Sequence, residues 1–219
     1  MIEKTDIGNL RCIVARCASE HICYILSPME PDSRQVELWS REYGITLAVI
    51  TGMDWDNDLT PWPAQNVPPS DPPFEGHAAE FLQRLETDVI PAIEGDGRYT
   101  RTLCGISLSG LFTLWAWMQT DTFANIGSLS GSFWYEGFMP WLEANARAKA
   151  GRAYFSLGTK EGGPRGPKPF SRIQEQTRET VTILKSKGIA CTFAPVPGTH
   201  FAPAAPRIEK MLDWLAEAR

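Results

Sequence analysis

Short apolar runs rich in β-branched residues alternate with longer amphipathic stretches along most of the chain, and this alternation restricts the fold more than any single motif does. The run at 21–26, ended by Ser27-Pro28, is followed by a segment at 32–43 in which Val36, Leu38, Trp39 and Tyr43 recur at roughly helical spacing. A second apolar run fills 44–51 and stops at Gly52. Strand, helix and near-continuous apolar strand make a βαβ unit, whose strands belong in a parallel sheet buried on both faces. The pattern continues with helices expected at 76–93, 108–119, 171–188 and 204–218, and strands at 100–106, 123–130, 151–157 and 189–196. Six such units in a row predict a doubly wound α/β sheet; a closed barrel of eight units needs about 250 residues, and the chain has 219.

Length and a hydrophobic content of 43% suit one well-filled domain over 1–219. With 26 acidic against 21 basic residues the formal charge is −5, which gives no electrostatic reason to expect nucleic acid or an anionic bilayer as partner. No run of eighteen apolar residues exists, and the acidic start, Met1-Ile2-Glu3-Lys4-Thr5-Asp6, lacks a basic n-region and an apolar stretch behind it. The expected location is therefore the cytoplasm. Five cysteines at irregular spacings read there as reduced thiols, three isolated histidines argue against a metal site, and no cofactor is expected. Nothing specifies an assembly, so a homodimer stays open.

Two stretches break the rhythm. Residues 53–74 are rich in proline, aspartate and tryptophan, including Trp55 and Trp62, and about 131–150 begins with Phe133, Trp134 and Tyr135. Both follow expected carboxyl ends of strands, where open α/β sheets bind ligands, so they are expected to cover a pocket with those five aromatic side chains in its wall. Packing of the second stretch into the core under a helix is the competing reading.

Gly105-Ile106-Ser107-Leu108-Ser109 joins a strand to a helix, with Ser107 at the junction. A sharp turn there needs small neighbours two positions before and after, and it lifts the serine hydroxyl above the sheet edge beside helix N–H groups. The common pattern is Gly-x-Ser-x-Gly, and Ser109 replaces its last glycine. A serine hydroxyl becomes a strong nucleophile only when a base takes its proton and a third group holds that base, in the chain order Ser, acid, His for this type of turn. His200, in Pro197-Gly198-Thr199-His200 after the last strand, fits; His21 and His77 fall elsewhere. Glu161, in Gly158-Thr159-Lys160-Glu161-Gly162-Gly163, is the first carboxylate after the strand at 151–157. For an oxyanion, the Leu108 amide supplies one donor, and Met29 the second, because Pro28 has no N–H.

At these residues the chain resembles the putative-esterase family of α/β-hydrolases, which includes siderophore trilactone esterases, S-formylglutathione hydrolase and feruloyl esterases. The similarity runs over roughly 20–219, through Asp58-Leu59-Thr60-Pro61, the helix from Gly76-His77-Ala78, the elbow, Ser130-Gly131-Ser132-Phe133-Trp134-Tyr135, Gly158-Thr159-Lys160-Glu161 and Gly198-Thr199-His200. It is strongest toward the siderophore-esterase-like branch, from which Gly131 departs by replacing a proline. The resemblance implies an α/β-hydrolase fold, with the family's antiparallel edge strands abbreviated to 6–17, and a Ser107, Glu161, His200 triad hydrolysing a small-molecule ester through an acyl-enzyme. Neither 53–74 nor 131–141 contains Lys or Arg, so charge complementarity favours a neutral acyl or aryl ester over an anionic catecholate. A thioesterase or acyltransferase would use the same groups, and a non-catalytic binding protein would keep only the shape.

Overall fold

The structure is a computed structural model that describes residues 2–163 and 168–217. Its centre is an eight-stranded sheet in the order β1-β2-β4-β3-β5-β6-β7-β8. The strands are β1 (Ile2–Ile7), β2 (Leu10–Ala15), β3 (His21–Leu26), β4 (Thr46–Thr51), β5 (Thr100–Ile106), β6 (Asn125–Leu129), β7 (Arg152–Gly158) and β8 (Ala190–Val196). β1 and β2 form a hairpin that pairs antiparallel with β4, and the remaining pairs are parallel. This hairpin is longer than the edge expected at 6–17. Its first strand carries Glu3, Lys4, Thr5 and Asp6, which a half-exposed edge accommodates, so no apolar run marks it in the sequence.

Period-two side-chain alternation divides the core. Ile22, Tyr24 and Leu26 of β3 face one side, packing with Phe81, Leu111, Phe112 and Leu184, while Cys23 and Ile25 face Val36, Trp39, Met211 and Leu215 on the other. The second side is covered by α1 (Ser33–Tyr43) and α7 (Ala205–Ala216). On the first side lie α2 (Ala78–Arg84), continued through a π-helical turn at Leu85–Val89 into α3 (Ile90–Glu94), then α4 (Leu108–Gln119), α5 (Phe138–Asn145) and α6 (Ile173–Ser186). The sequence reading ended the closing helix at Ala218, which lies outside the described residues. α4 is buried from Leu108 to Met118, so the segment that begins at the elbow is a central helix with no solvent face.

The parallel strands point their carboxyl ends to one edge, which gathers the segments 27–32, 52–77, 107, 130–137, 159–163 and 197–204. Two of these are tied together: the Tyr135 hydroxyl donates to the Trp62 carbonyl, and the Trp62 indole N–H donates to the Glu136 carbonyl at 2.8 Å. None of the described helices is long and apolar enough to cross a membrane.

Candidate active site

Ser107 sits between β5 and α4 at φ 60° and ψ −123°, a backbone region that costs a non-glycine residue about 1–3 kcal/mol. Bonds on both sides hold it there: Ser107 N–H donates to Leu129 O at 3.0 Å, and its carbonyl accepts from Leu111 and Ser132, both at 3.1 Å. The turn requires Gly105, where an added Cβ would lie 2.2 Å from the carbonyl oxygen of Ser109. The Cβ is fixed by its own backbone and the atom it meets is backbone, so no side-chain rotation relieves the clash. Gly105→Ala is therefore expected to displace the elbow, lowering Tm by several degrees and removing nearly all activity; thermal unfolding and ester turnover on the same preparation check this.

Ser109, which stands where the common pattern has glycine, has hydrogen-bonding work of its own. It is fully buried, its hydroxyl accepts from Ile106 N–H at 2.8 Å, and its proton lies between the carbonyls of Ile106 at 2.8 Å and Leu26 at 3.0 Å. The hydroxyl thus satisfies backbone groups where β5 and β3 end, and is withdrawn from any role as nucleophile.

His200 Nε2 lies 3.1 Å from Ser107 Oγ, and its Nδ1 lies 2.9 Å from Glu161 Oε2. With the proton on Nδ1 donated to the carboxylate, the Nε2 lone pair is left to accept the serine proton. Glu161 is buried, and its second oxygen, Oε1, accepts from Gly158 N–H at 2.8 Å and Ser130 Oγ at 2.7 Å and pairs with Arg207 Nη2 at 3.1 Å. Burial pushes this carboxyl up, but the bonds from His200, Ser130 and Gly158 outweigh it, and the net direction is below the usual carboxylate range. Acid loop and histidine loop meet at two glycines: a Cβ on Gly158 would lie 2.5 Å from Gly198 O and 2.6 Å from Glu161 Oε1.

The expected oxyanion donors are differently placed. Leu108 is buried at the start of α4, directly after the nucleophile. Met29 is 74% exposed, and its N–H makes a long 3.4 Å contact to Ser27 Oγ, whose own proton goes to Met29 O at 2.7 Å. Of the five aromatics expected in a pocket wall, Phe133 and Tyr135 are buried; Phe133 stacks on Phe138 at 5.6 Å and meets Phe155 edge-on, which makes it core. Trp55, Trp62 and Trp134 are half-buried and keep some surface. Asp54, Asp56, Asp58 and Asp71 cluster in the 53–74 segment, where burial, then Asp54 and Asp71, hold the Asp56 carboxyl above its usual range.

Sequence reasoning missed Ser130, Ser132 and Arg207. Ser132 Oγ lies 3.4 Å from Ser107 Oγ, and Ser130, a non-glycine residue at φ 49°, bonds the acid. The available signal for Arg207 was its position on the buried stripe of α7, four residues before Met211. A cleft of about 500 Å³ at the opposite edge of the sheet, lined by His21, Thr100, Asp121, Asn125, Lys149 and Arg152 among others, offers no comparable chemistry. Its cations are already engaged, Lys149 by Thr120 O and Asp121, and Arg152 by Trp214 O and Leu215 O. No group of three or more metal-ligating side chains is gathered among the described residues.

A mostly parallel sheet whose strand–helix elbow presents a serine, with a carboxylate and then a histidine following at the same edge, defines the α/β-hydrolase class. The model of the Putative esterase family matches residues 28–204, and the chain belongs to that family. It is 30% identical over 151 residues to the uncharacterized protein YbbA of Bacillus subtilis, a match covering 64% of this chain and 60% of that relative. Among solved structures it resembles an IroE-like serine hydrolase from Shewanella oneidensis at TM-score 0.78 and 16% identity, over 99% of this chain and 78% of that one. It also resembles the enterobactin and salmochelin hydrolase IroE at TM-score 0.70 and 18% identity, over 99% and 94%. Identities this low establish the shared fold.

Proposed function

We propose that the protein is a serine carboxylesterase acting on small neutral acyl or aryl esters. The observation that carries this reading is the continuous line Ser107 Oγ, His200 Nε2, His200 Nδ1, Glu161 Oε2, with spacings of 3.1 and 2.9 Å. Ser107 attacks the ester carbonyl as its proton passes to His200, and Glu161 holds the resulting imidazolium. The tetrahedral oxyanion takes hydrogen bonds from the Leu108 amide at the positive end of α4 and from the weakly held Met29 amide. Collapse expels the alcohol, which receives the proton from His200 and leaves an acyl group on Ser107 Oγ; water, activated by the same histidine, then releases the acid.

The choice of ester rests on the rim. Met29 and Phe201, the latter edge-on to the His200 ring, are among the most exposed apolar side chains, at 74% and 93%, and flank the segments that carry the site. Trp55, Trp62 and Trp134 add apolar surface, and the carboxylates of 53–74 with no Lys or Arg repel anions. A second reading comes from the neighbours described as enterobactin and salmochelin hydrolases: a siderophore-type lactone as substrate. A panel of p-nitrophenyl esters and lactones varied in chain length and charge separates the two. Neutral esters are expected to exceed matched anionic ones by about tenfold or more in kcat/KM at low salt, with the gap narrowing as salt is added; faster turnover of a catecholate lactone would overturn the neutral-ester assignment.

A further inference from the structure

The structure assigns Arg207 as a positioning residue that locks the acid and the histidine loop to one another. It rests on the Ser107–His200–Glu161 reading but concerns a group that reading does not use. The Arg207 side chain is 2% exposed. Its Nη2 lies 3.1 Å from Glu161 Oε1 and donates to Thr199 O, the residue before His200, while Nη1 donates to Ser130 Oγ. Ser130 in turn donates its proton to Glu161 Oε1 at 2.7 Å. One planar guanidinium therefore holds the loop after β7, the segment after β6 and the loop after β8, the last two directly by hydrogen bonds and the first through the carboxylate.

Two features make a purely structural role a poor account of this arginine. It sits in the first turn of α7, where the helix dipole disfavours a cation. A buried ion pair, moreover, contributes little stability over well-packed apolar side chains, so stability alone does not explain its presence on a stripe continued by Met211, Leu212 and Leu215. What the pair supplies is direction. With Oε1 bound by Arg207, Ser130 and Gly158, the carboxylate cannot rotate, and Oε2 stays on His200 Nδ1. The bond to Thr199 O fixes the backbone of the histidine loop from the same side chain. His200 itself is roughly one-third exposed, so this anchoring comes from its neighbours rather than from burial of its ring.

The test uses Arg207→Met and Arg207→Lys in the full chain, with turnover normalised to folded protein and the His200 Nδ1–H proton followed by NMR. Arg207→Met is expected to lower kcat at least tenfold with KM within about threefold of wild type, and to broaden or lose the downfield Nδ1–H resonance. Arg207→Lys keeps the charge but cannot span Glu161, Ser130 and Thr199 together. It is expected to keep the fold, lower kcat several-fold and shift the resonance, so the proposal stays testable if the methionine variant does not fold. A folded variant of either kind with wild-type kcat and a wild-type resonance would overturn the assignment, as would activity that falls only in step with the folded fraction. Wild-type protein that hydrolyses no ester yet shows the resonance would sink the esterase reading instead, and the response of the resonance to Arg207→Lys would still decide the role of the arginine.

Discussion

Ser107→Ala is expected to reduce ester hydrolysis by about 10⁴–10⁶ in kcat while leaving substrate binding within a few-fold of wild type. The size follows from what is removed. Without Oγ no acyl-enzyme forms, and only the oxyanion donors and the binding surface act on water attack. Little else changes, because Ser107 is held by its backbone through Leu129 O, Leu111 N–H and Ser132 N–H, while its Oγ contacts the partly exposed His200 and Ser132 Oγ. Alanine keeps those backbone bonds and the positive φ, so Tm is expected to stay within a few degrees. A variant with more than a few per cent of wild-type kcat, free of contaminating esterase, would mean that the reaction does not pass through this hydroxyl.

The second large effect is expected at Glu161. Glu161→Gln preserves shape but presents an amide where His200 Nδ1–H needs a carboxylate, and it removes the charge that stabilises the imidazolium; a loss of about 10²–10⁴ in kcat follows. Unlike the serine change, this one also costs stability. Arg207 would be left in the interior without its anion, a loss of about 3–5 kcal/mol and roughly 10 °C in Tm for a chain of this size. The folded carboxyl is held below its unfolded value, so its contribution is present at pH values above the unfolded carboxylate range and is lost as pH falls through the depressed folded value. Wild-type Tm should therefore drop on acidification through that window more steeply than that of Glu161→Gln, in which the other depressed carboxyls, Glu30, Asp121 and Glu175, still titrate. Differential scanning calorimetry of both proteins from neutral pH into the acid range checks it, and identical slopes would show that the carboxyl is not bound as described.

Much of the fold is legible in the residues themselves. Buried parallel strands must be apolar on both faces and their connecting helices on one, so the βα rhythm shows directly in the residues, and it placed Ser107, Glu161 and His200 at the same edge of the sheet. What escaped reading depends on contacts between distant segments. Arg207 looks like one polar position in an amphipathic helix until Glu161, 46 positions earlier, is folded against it. Phe133 and Tyr135 show the same limit, since aromatic residues in a loop have one composition whether they line a pocket or fill the core, and their burial is decided by Phe138, Phe155 and Trp62. In the sequence Ser109 reads only as a replacement for a common glycine; the backbone of Ile106 and the carbonyl of Leu26 on the neighbouring strand give its hydroxyl a purpose. The polar edge strand β1 had no apolar run to announce it.

The central claim is that Ser107 is a nucleophile activated by His200, and a fluorophosphonate tests it without knowledge of the substrate. Labelling of the native protein followed by peptide mass spectrometry should place one adduct on Ser107, absent in Ser107→Ala and after thermal unfolding, and retained in Ser109→Ala. A folded wild-type protein that takes up no label, or carries it on another residue, would contradict the account.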